Sequence, residues 1–178
     1  MICLNVLYIV PVYYVLSWTP QLVADSGFTP AEAASVALLL NLGGIVGGVA
    51  FGWVSEVLGW KRAAVGTLLC FSVAIVAFSH APADLGVLRV LGTATGFFLF
   101  AGACALHTIV SRSFGDHTRA TGAGLVLGVG RTASAIAPLA TGILFSVGFG
   151  REGVSFAMAL AVVVSAVLLI GHRAAVAH

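Results

Sequence analysis

The sequence predicts an all-α membrane protein with six transmembrane helices. Of its 178 residues, 60% are hydrophobic and 8% are charged, whereas a soluble domain carries about 25% charged residues. The mean hydropathy is +1.12. The apolar residues form six long runs separated by short polar stretches, and a helix of about 20 such residues crosses a bilayer core.

The polar stretches set the expected helix bounds. Pro11 interrupts the first helix, which membrane helices tolerate. Thr29 and Pro30 are typical of a helix start, as N-cap and first helical residue, and Glu32 follows in the first turn. The six predicted helices cover about 2–23, 30–54, 63–79, 84–111, 119–148 and 153–170.

Small residues on the second helix predict a close helix contact. Gly44, Gly48 and Gly52 recur every four residues and would form a smooth ridge. Asn41 lies about midway along the same helix. Its amide can serve either as an interhelical hydrogen-bonding group or as a substrate contact, and the sequence leaves both open.

Aromatic and histidine side chains supply further candidates. Tyr13, Tyr14 and Trp18 cluster in the second half of the first helix, which fits either an interfacial aromatic belt or the wall of a ligand cavity. Tyr14 lies deeper than Trp18 and is the substrate-binding candidate. His107, toward the end of the fourth helix, fits either a proton relay or a hydrogen-bonded packing role.

Arg131 is the central candidate of the sequence. It lies in a run of apolar and small residues, twelve positions after Arg119, so it is about 18 Å into the fifth helix and near the middle of the bilayer. A charge at that depth costs about 2.5 to 3.5 kcal/mol on insertion scales. We therefore expect Arg131 to face a partner, a cavity or a ligand, although a structural role in capping carbonyls stays open.

Several function classes are excluded by what the sequence lacks. It contains no HExxH, GxSxG, phosphate-binding GxxxxGK[ST] or CxxC motif. Its three cysteines lie in apolar runs without disulfide or metal-ligand spacing. A net charge of +2 is too small to indicate nucleic-acid binding. We expect a protein that is not an enzyme and has no cofactor, no metal and no nucleic-acid partner.

Loop charges predict the orientation in the membrane. With the N-terminus inside, the inner side has five basic residues and the outer side two, which favours cytoplasmic termini. Seven arginines against one lysine, with abundant alanine and glycine, indicate a bacterial source and so an inner-membrane location. The inner residues are Lys61, Arg62, Arg112, Arg119 and Arg173, and the outer ones are Arg89 and Arg151.

Three stretches resemble transporters of the major facilitator superfamily. Gly52-Trp-Val-Ser-Glu56-Val-Leu-Gly59-Trp-Lys61-Arg62 resembles the loop signature GxLxDRxGRR of that superfamily. Arg119-Ala-Thr-Gly122, with Gly128-Val-Gly130-Arg131 and Pro138, resembles the eleventh helix of bacterial organic-acid symporters. Ser17-Trp18-Thr-Pro20 resembles the end of the seventh helix of the aromatic acid/proton symporters, which import 4-hydroxybenzoate and benzoate.

The resemblance implies the second half of a twelve-helix transporter, lacking its N-terminal six helices. It implies that Gly52, Glu56, Gly59, Lys61 and Arg62 form a loop that locks neighbouring helices during gating. The signature is thinned here, because Glu56 replaces the usual aspartate and Val57 and Trp60 replace arginines. The acidic first-helix motif of the aromatic acid group has no counterpart in the chain.

The expected function is proton-coupled symport of a small aromatic carboxylate by the full transporter. Arg131 would bind the carboxylate, Tyr14 would stack on the ring, and Asn41 would add a polar contact. The partners would be the lipid bilayer, the N-terminal half, the aromatic acid and protons. Two alternatives stay open: another organic-acid or sugar symporter of the superfamily, and a non-transporting six-helix subunit with a structural or regulatory role.

Overall fold

The protein is a bundle of six membrane-length helices. The computed structural model describes residues 2–114, 118–148 and 150–171. The six helices are each long and apolar enough to cross a membrane, which confirms the predicted all-α membrane fold. Arg173 and the side chain of Arg119, which entered the loop-charge comparison, lie outside the described residues. The helices are α1 (Ile2–Asp25), α2 (Pro30–Leu58), α3 (Trp60–Ser79), α4 (Leu85–Arg112), α5 (Arg119–Ser146) and α6 (Arg151–Gly171).

The start of α2 follows the sequence signal. The Thr29 hydroxyl accepts a hydrogen bond from the backbone N–H of Glu32 at 3.3 Å, and the Glu32 carboxylate accepts one from the backbone N–H of Thr29 at 2.9 Å. This reciprocal capping box satisfies two N–H groups that a helix start leaves unpaired. It fixes the first residue of α2 after the short turn from α1.

The junction between α2 and α3 is much shorter than the predicted loop from Ser55 to Arg62. Helix α2 continues to Leu58 and α3 begins at Trp60. Gly59 alone makes the turn, with φ 81° and ψ 138°, in a region that residues with a Cβ rarely adopt. Because one residue changes the chain direction, the rest of the segment extends the two helices.

Helices α2 and α4 cross at very short range. A Cβ atom on Gly47 would overlap the carbonyl of Phe97, and one on Gly96 would overlap the carbonyl of Leu40. Gly43 lies in the same way against the carbonyl of Thr93. The absence of side chains at these three glycines lets the two backbones touch, which is the packing mode that membrane helices favour.

Of the predicted ridge of Gly44, Gly48 and Gly52, Gly44 makes a close helix contact, because a Cβ there would overlap the Phe100 ring of α4. A Cβ on Gly52 would meet nothing within 4 Å, and one on Gly48 would meet only the Cys104 sulfur at 3.5 Å. In the segment GGIVGG, Gly43 and Gly47 lie against the backbone of α4, and Gly44 lies against the Phe100 side chain. These glycines belong to the buried side of α2, which consists of Ala33, Val36, Leu40, Gly43, Gly44, Gly47 and Phe51.

Polar side chains of α1 tie it to its neighbours. Asn5 is buried, and its amide nitrogen donates to the carbonyl of Val126 on α5 at 2.9 Å. Gly130 of α5 lies against the same amide, and a Cβ there would overlap it. The buried Tyr8 hydroxyl donates to the Leu99 carbonyl on α4. These bonds give α1 a central position, with α5 packed mainly on it.

Arg151 joins the other end of the bundle. Its guanidinium Nε donates to the Ser79 carbonyl at 2.9 Å, and Nη2 donates to the carbonyls of Phe78 at 3.3 Å and Ala81 at 3.4 Å. Nη1 donates to the Ser26 hydroxyl at 3.0 Å. The side chain therefore caps the C-terminal end of α3 with a positive charge and links it to the α1–α2 turn.

Candidate functional site

The candidate site lies along the contact between α1 and α5, which run in the same direction. Asn5 near the start of α1 bonds Val126 in the first third of α5. Trp18 in the second half of α1 packs on Phe145 at the end of α5, with ring centroids 4.8 Å apart. Residues near the start of α1 thus contact the first third of α5, and residues in the second half of α1 contact the end of α5. One continuous face of this helix pair extends from one membrane surface to the other.

Arg131 lies on that face beside a tyrosine. Its guanidinium Nη1 donates to the Tyr13 hydroxyl at 3.0 Å, and the arginine side chain is exposed. A guanidinium carries five N–H donors, and this bond uses one of them. Among the residues that the structure describes, no carboxylate lies within 4.0 Å of the Arg131 guanidinium. Arg131 therefore presents an unneutralised positive charge near the middle of its helix.

A cavity of about 650 Å³ lies between the C-terminal halves of α1 and α5, and neither Arg131 nor Tyr13 is among its walls. Arg131, Pro138 and Phe145 are spaced by seven residues and share one side of α5. Tyr13, which faces Arg131, lies four residues before the cavity residue Ser17 on α1. The volume is within the range of small-molecule sites. Its walls are Ser17, Trp18, Gln21, Leu22, Asp25, Pro138 and Phe145.

The cavity combines aromatic walls with a polar outer end. The Trp18 and Phe145 rings, which are tilted by 43° against each other, both line the cavity. At the outer end, the Gln21 amide donates to the Asp25 carboxylate at 2.9 Å. The apolar part of the cavity suits a flat ring, and its one charged wall residue is Asp25.

Tyr14 lies elsewhere. It is 2% exposed, and its hydroxyl is 2.7 Å from the Ser155 hydroxyl of α6. Successive residues of a helix differ in direction by about 100°, so Tyr13 faces α5 while Tyr14 faces α6. The proposed role of Tyr14 in ring stacking stays a prediction, and Tyr13 is the tyrosine that the structure brings to Arg131. Sequence reasoning missed this, although Asn5, two turns before Tyr13, marks the α5-facing side of α1.

The other two intramembrane candidates are exposed. The Asn41 amide nitrogen donates to the Ala37 carbonyl of its own helix at 2.8 Å, so the interhelical role falls to Asn5 instead. His107 lies on an exposed side of α4, and its backbone carbonyl accepts the Ser111 hydroxyl at 2.8 Å. Their roles as substrate contact and proton relay stay predictions.

The five residues of the gating signature surround the α2–α3 junction. Gly52, Glu56, Gly59 and Arg62 are exposed. Lys61 is partly buried, and its ammonium donates to the Ile170 carbonyl near the end of α6 at 3.0 Å. Lys61 therefore holds the start of α3 to the end of α6. The gating role of the whole set stays a prediction.

Known proteins resemble this chain over part of their length. No protein-family model matches it. It is 29% identical over 157 residues to the 3-(3-hydroxy-phenyl)propionate transporter of Escherichia coli (strain K12), which covers 86% of this chain and 38% of the relative. It is 31% identical over 171 residues to the 4-hydroxybenzoate transporter PcaK of Pseudomonas aeruginosa, covering 92% of this chain and 37% of the relative.

The solved structure of the proton:xylose symporter XylE, of the major facilitator superfamily, superposes with a TM-score of 0.78 at 12% identity. The match covers 97% of this chain and 43% of the symporter. The chain is a six-helix half of a major facilitator fold. The two relatives described above are named as transporters of aromatic acids and not as enzymes, which confirms the resemblance seen in the sequence. This half spans well under half the length of the curated relatives it matches.

Proposed function

We propose that this chain is the C-terminal half of a proton-coupled importer of small aromatic carboxylates. We place it in a bacterial inner membrane with both of its termini in the cytoplasm. The observation that carries the proposal is the exposed Arg131 guanidinium near the middle of α5, bonded to Tyr13 and with no carboxylate of the described residues within 4.0 Å. The relatives named as transporters of hydroxylated aromatic acids support the substrate class.

The chemistry of the site follows from the guanidinium. A planar carboxylate can accept two parallel N–H bonds from it, a geometry that a lysine ammonium does not provide. The Tyr13 hydroxyl holds the guanidinium at one Nη and leaves the other donors available. The aromatic ring of the substrate would then lie on the α1–α5 face beside Arg131, where apolar burial and contact with the Tyr13 ring add to binding.

Among the described residues, no carboxylate lies where a coupling proton would be carried. The described acids lie at helix ends or in turns: Asp25, Glu32, Glu56, Asp84 and Glu152. None of these carboxylates is near the membrane middle, where a proton relay is needed. Since the chain spans 37% to 38% of the two relatives' length, we assign the coupling carboxylate to an N-terminal six-helix half. His107 is the candidate relay on this half.

Uptake into proteoliposomes tests the proposal. The full transporter containing this chain should accumulate labelled 4-hydroxybenzoate when the outside is acidified, and an uncoupler should abolish the accumulation. The 178-residue chain alone, reconstituted at equal density, should not accumulate it. Accumulation by the isolated chain would contradict the half-transporter assignment. Gradient-driven uptake of xylose but not of 4-hydroxybenzoate would replace the aromatic acid with a sugar.

A further inference from the structure

A second cavity lies on a different part of the molecule, between α2, α3 and α4. Its volume is about 230 Å³, and its walls are almost wholly apolar apart from one charged residue, Arg62. No residue of α1 or α5 lines it, so it is separate from the Arg131 site. The apolar walls include Phe51, Val54, Leu58, Phe97, Phe98 and Ala101.

The groove has the depth of one membrane leaflet. On α3 it extends from Arg62 to Cys70, and on α2 from Leu58 back to Ala50. Eight residues of helix cover about 12 Å, and one leaflet of the hydrocarbon core is about 15 Å thick. The charged residue lies at the helix ends and the phenylalanines lie deep. This polarity matches a lipid molecule, with its head at the surface and its acyl chain inward.

The charged residue of the groove is Arg62, which lies at the α2–α3 junction end of its lining. Within the described part of the chain, Arg62 is exposed and makes no hydrogen bond, and no carboxylate lies within 4.0 Å of its guanidinium. Basic pockets between membrane helices at the surface suit anionic lipid headgroups.

A missing side chain helps to open the groove. Gly66 lies on its α3 wall one turn beyond Arg62, and a Cβ there would meet nothing within 4 Å. This glycine is therefore not needed for a close helix crossing, unlike Gly47 and Gly96. A leucine at this position would occupy the groove without displacing backbone.

We propose that this groove binds an acyl chain of an anionic phospholipid, with the lipid phosphate on Arg62. Apolar burial along the groove would hold the chain, and the Arg62 charge would select anionic over zwitterionic headgroups. One basic residue near an anionic surface gives about a fivefold preference.

Photo-crosslinking tests this with the full transporter containing this chain, reconstituted in nanodiscs. The probes are phosphatidylglycerol, phosphatidylcholine and oleic acid, each with a diazirine on the acyl chain. The phosphatidylglycerol probe should label peptides covering Leu58–Cys70 and Phe97–Ala101 about five times more than phosphatidylcholine does. Arg62→Gln should remove that preference, and Arg62→Lys should keep most of it. Gly66→Leu should reduce labelling by both phospholipids, whereas the matched Gly124→Leu, at an open position on α5, should not.

Each other outcome is decisive against the proposal. Equal labelling by both phospholipids, unchanged in Arg62→Gln, would identify ordinary surrounding lipid. Stronger labelling by oleic acid than by phosphatidylglycerol would make a free fatty acid the ligand and overturn the phospholipid assignment. A melting curve of each variant shows whether it is folded, and Arg62→Lys keeps the charge test available should Arg62→Gln fail to fold.

Discussion

Replacing Arg131 separates a substrate-binding arginine from a structural one. Arg131→Lys keeps the positive charge but loses the paired N–H donors of the guanidinium. Arg131→Gln loses the charge as well. If the guanidinium binds a carboxylate, both changes should weaken binding of 4-hydroxybenzoate by the full transporter, and glutamine should weaken it more than lysine.

The expected size follows from the contacts of the side chain. One hydrogen bond involving a charged group contributes about 1.5 to 3 kcal/mol, so losing one substrate contact in Arg131→Lys should lower the affinity roughly tenfold to a hundredfold. Folding should be little affected, because the described contact of Arg131 is a single bond from an exposed side chain to Tyr13 at 3.0 Å. Tyr13→Phe removes that bond and should have a smaller effect on affinity than Arg131→Gln.

Calorimetry of 4-hydroxybenzoate binding, measured beside the melting temperature, is the assay. Arg89→Gln is the matched control, since it also removes an arginine that bonds one hydroxyl, with its Nε 3.1 Å from the Ser35 hydroxyl. It should leave the affinity unchanged. Normal affinity in Arg131→Lys and Arg131→Gln, together with a lowered melting temperature, would refute the binding role and assign Arg131 to the scaffold.

Two further predictions concern the fold. Gly47→Leu should lower the stability by about 1 to 3 kcal/mol or more, because its side chain would displace the backbone of α4; Gly52→Leu, at an open position, should stay within about 0.5 kcal/mol. Thermal melting of both variants measures this, and equal melting temperatures would contradict the α2–α4 crossing. In a cysteine-free background, an impermeant thiol reagent added to intact cells should label a cysteine at Ser26 but not one at Leu58, and the reverse pattern would invert the proposed topology.

The six helices could be predicted because each is marked by a long run of apolar residues. Each apolar run is long enough to cross a membrane, and errors of a few residues at its ends do not change the count. The α2–α3 junction shows the limit of this signal. Polar residues from Ser55 to Arg62 indicate a position at the membrane surface, but they do not distinguish a loop from the solvent-exposed ends of two helices. That distinction depends on Gly59, whose positive φ makes the turn alone.

Which side of a helix faces a neighbour was the harder question. In α2, Gly43 and Gly47 meet the backbone of α4 and Gly44 meets the Phe100 ring, whereas a Cβ on Gly48 would be 3.5 Å from the Cys104 sulfur; glycine spacing alone did not distinguish them. In α1, adjacent tyrosines posed the same problem, and Tyr13 rather than Tyr14 reaches Arg131. Arg131 itself could be identified from the sequence, since a charge within an apolar helix is rare and can be recognised without knowing which way the side chain points.

The charge and burial of α5 together indicate what must cover it. In the most apolar part of α5, 24% of the residues are buried within the chain, against 50% in the corresponding part of α3. Exposure to lipid would suit the apolar residues of α5, but it would leave the Arg131 charge in hydrocarbon at a cost of about 2.5 to 3.5 kcal/mol. Tyr13 satisfies one donor and neutralises no charge. The α1–α5 face therefore requires a neighbour that provides water, an anion or both, and a second six-helix half enclosing a hydrated substrate cavity meets that requirement.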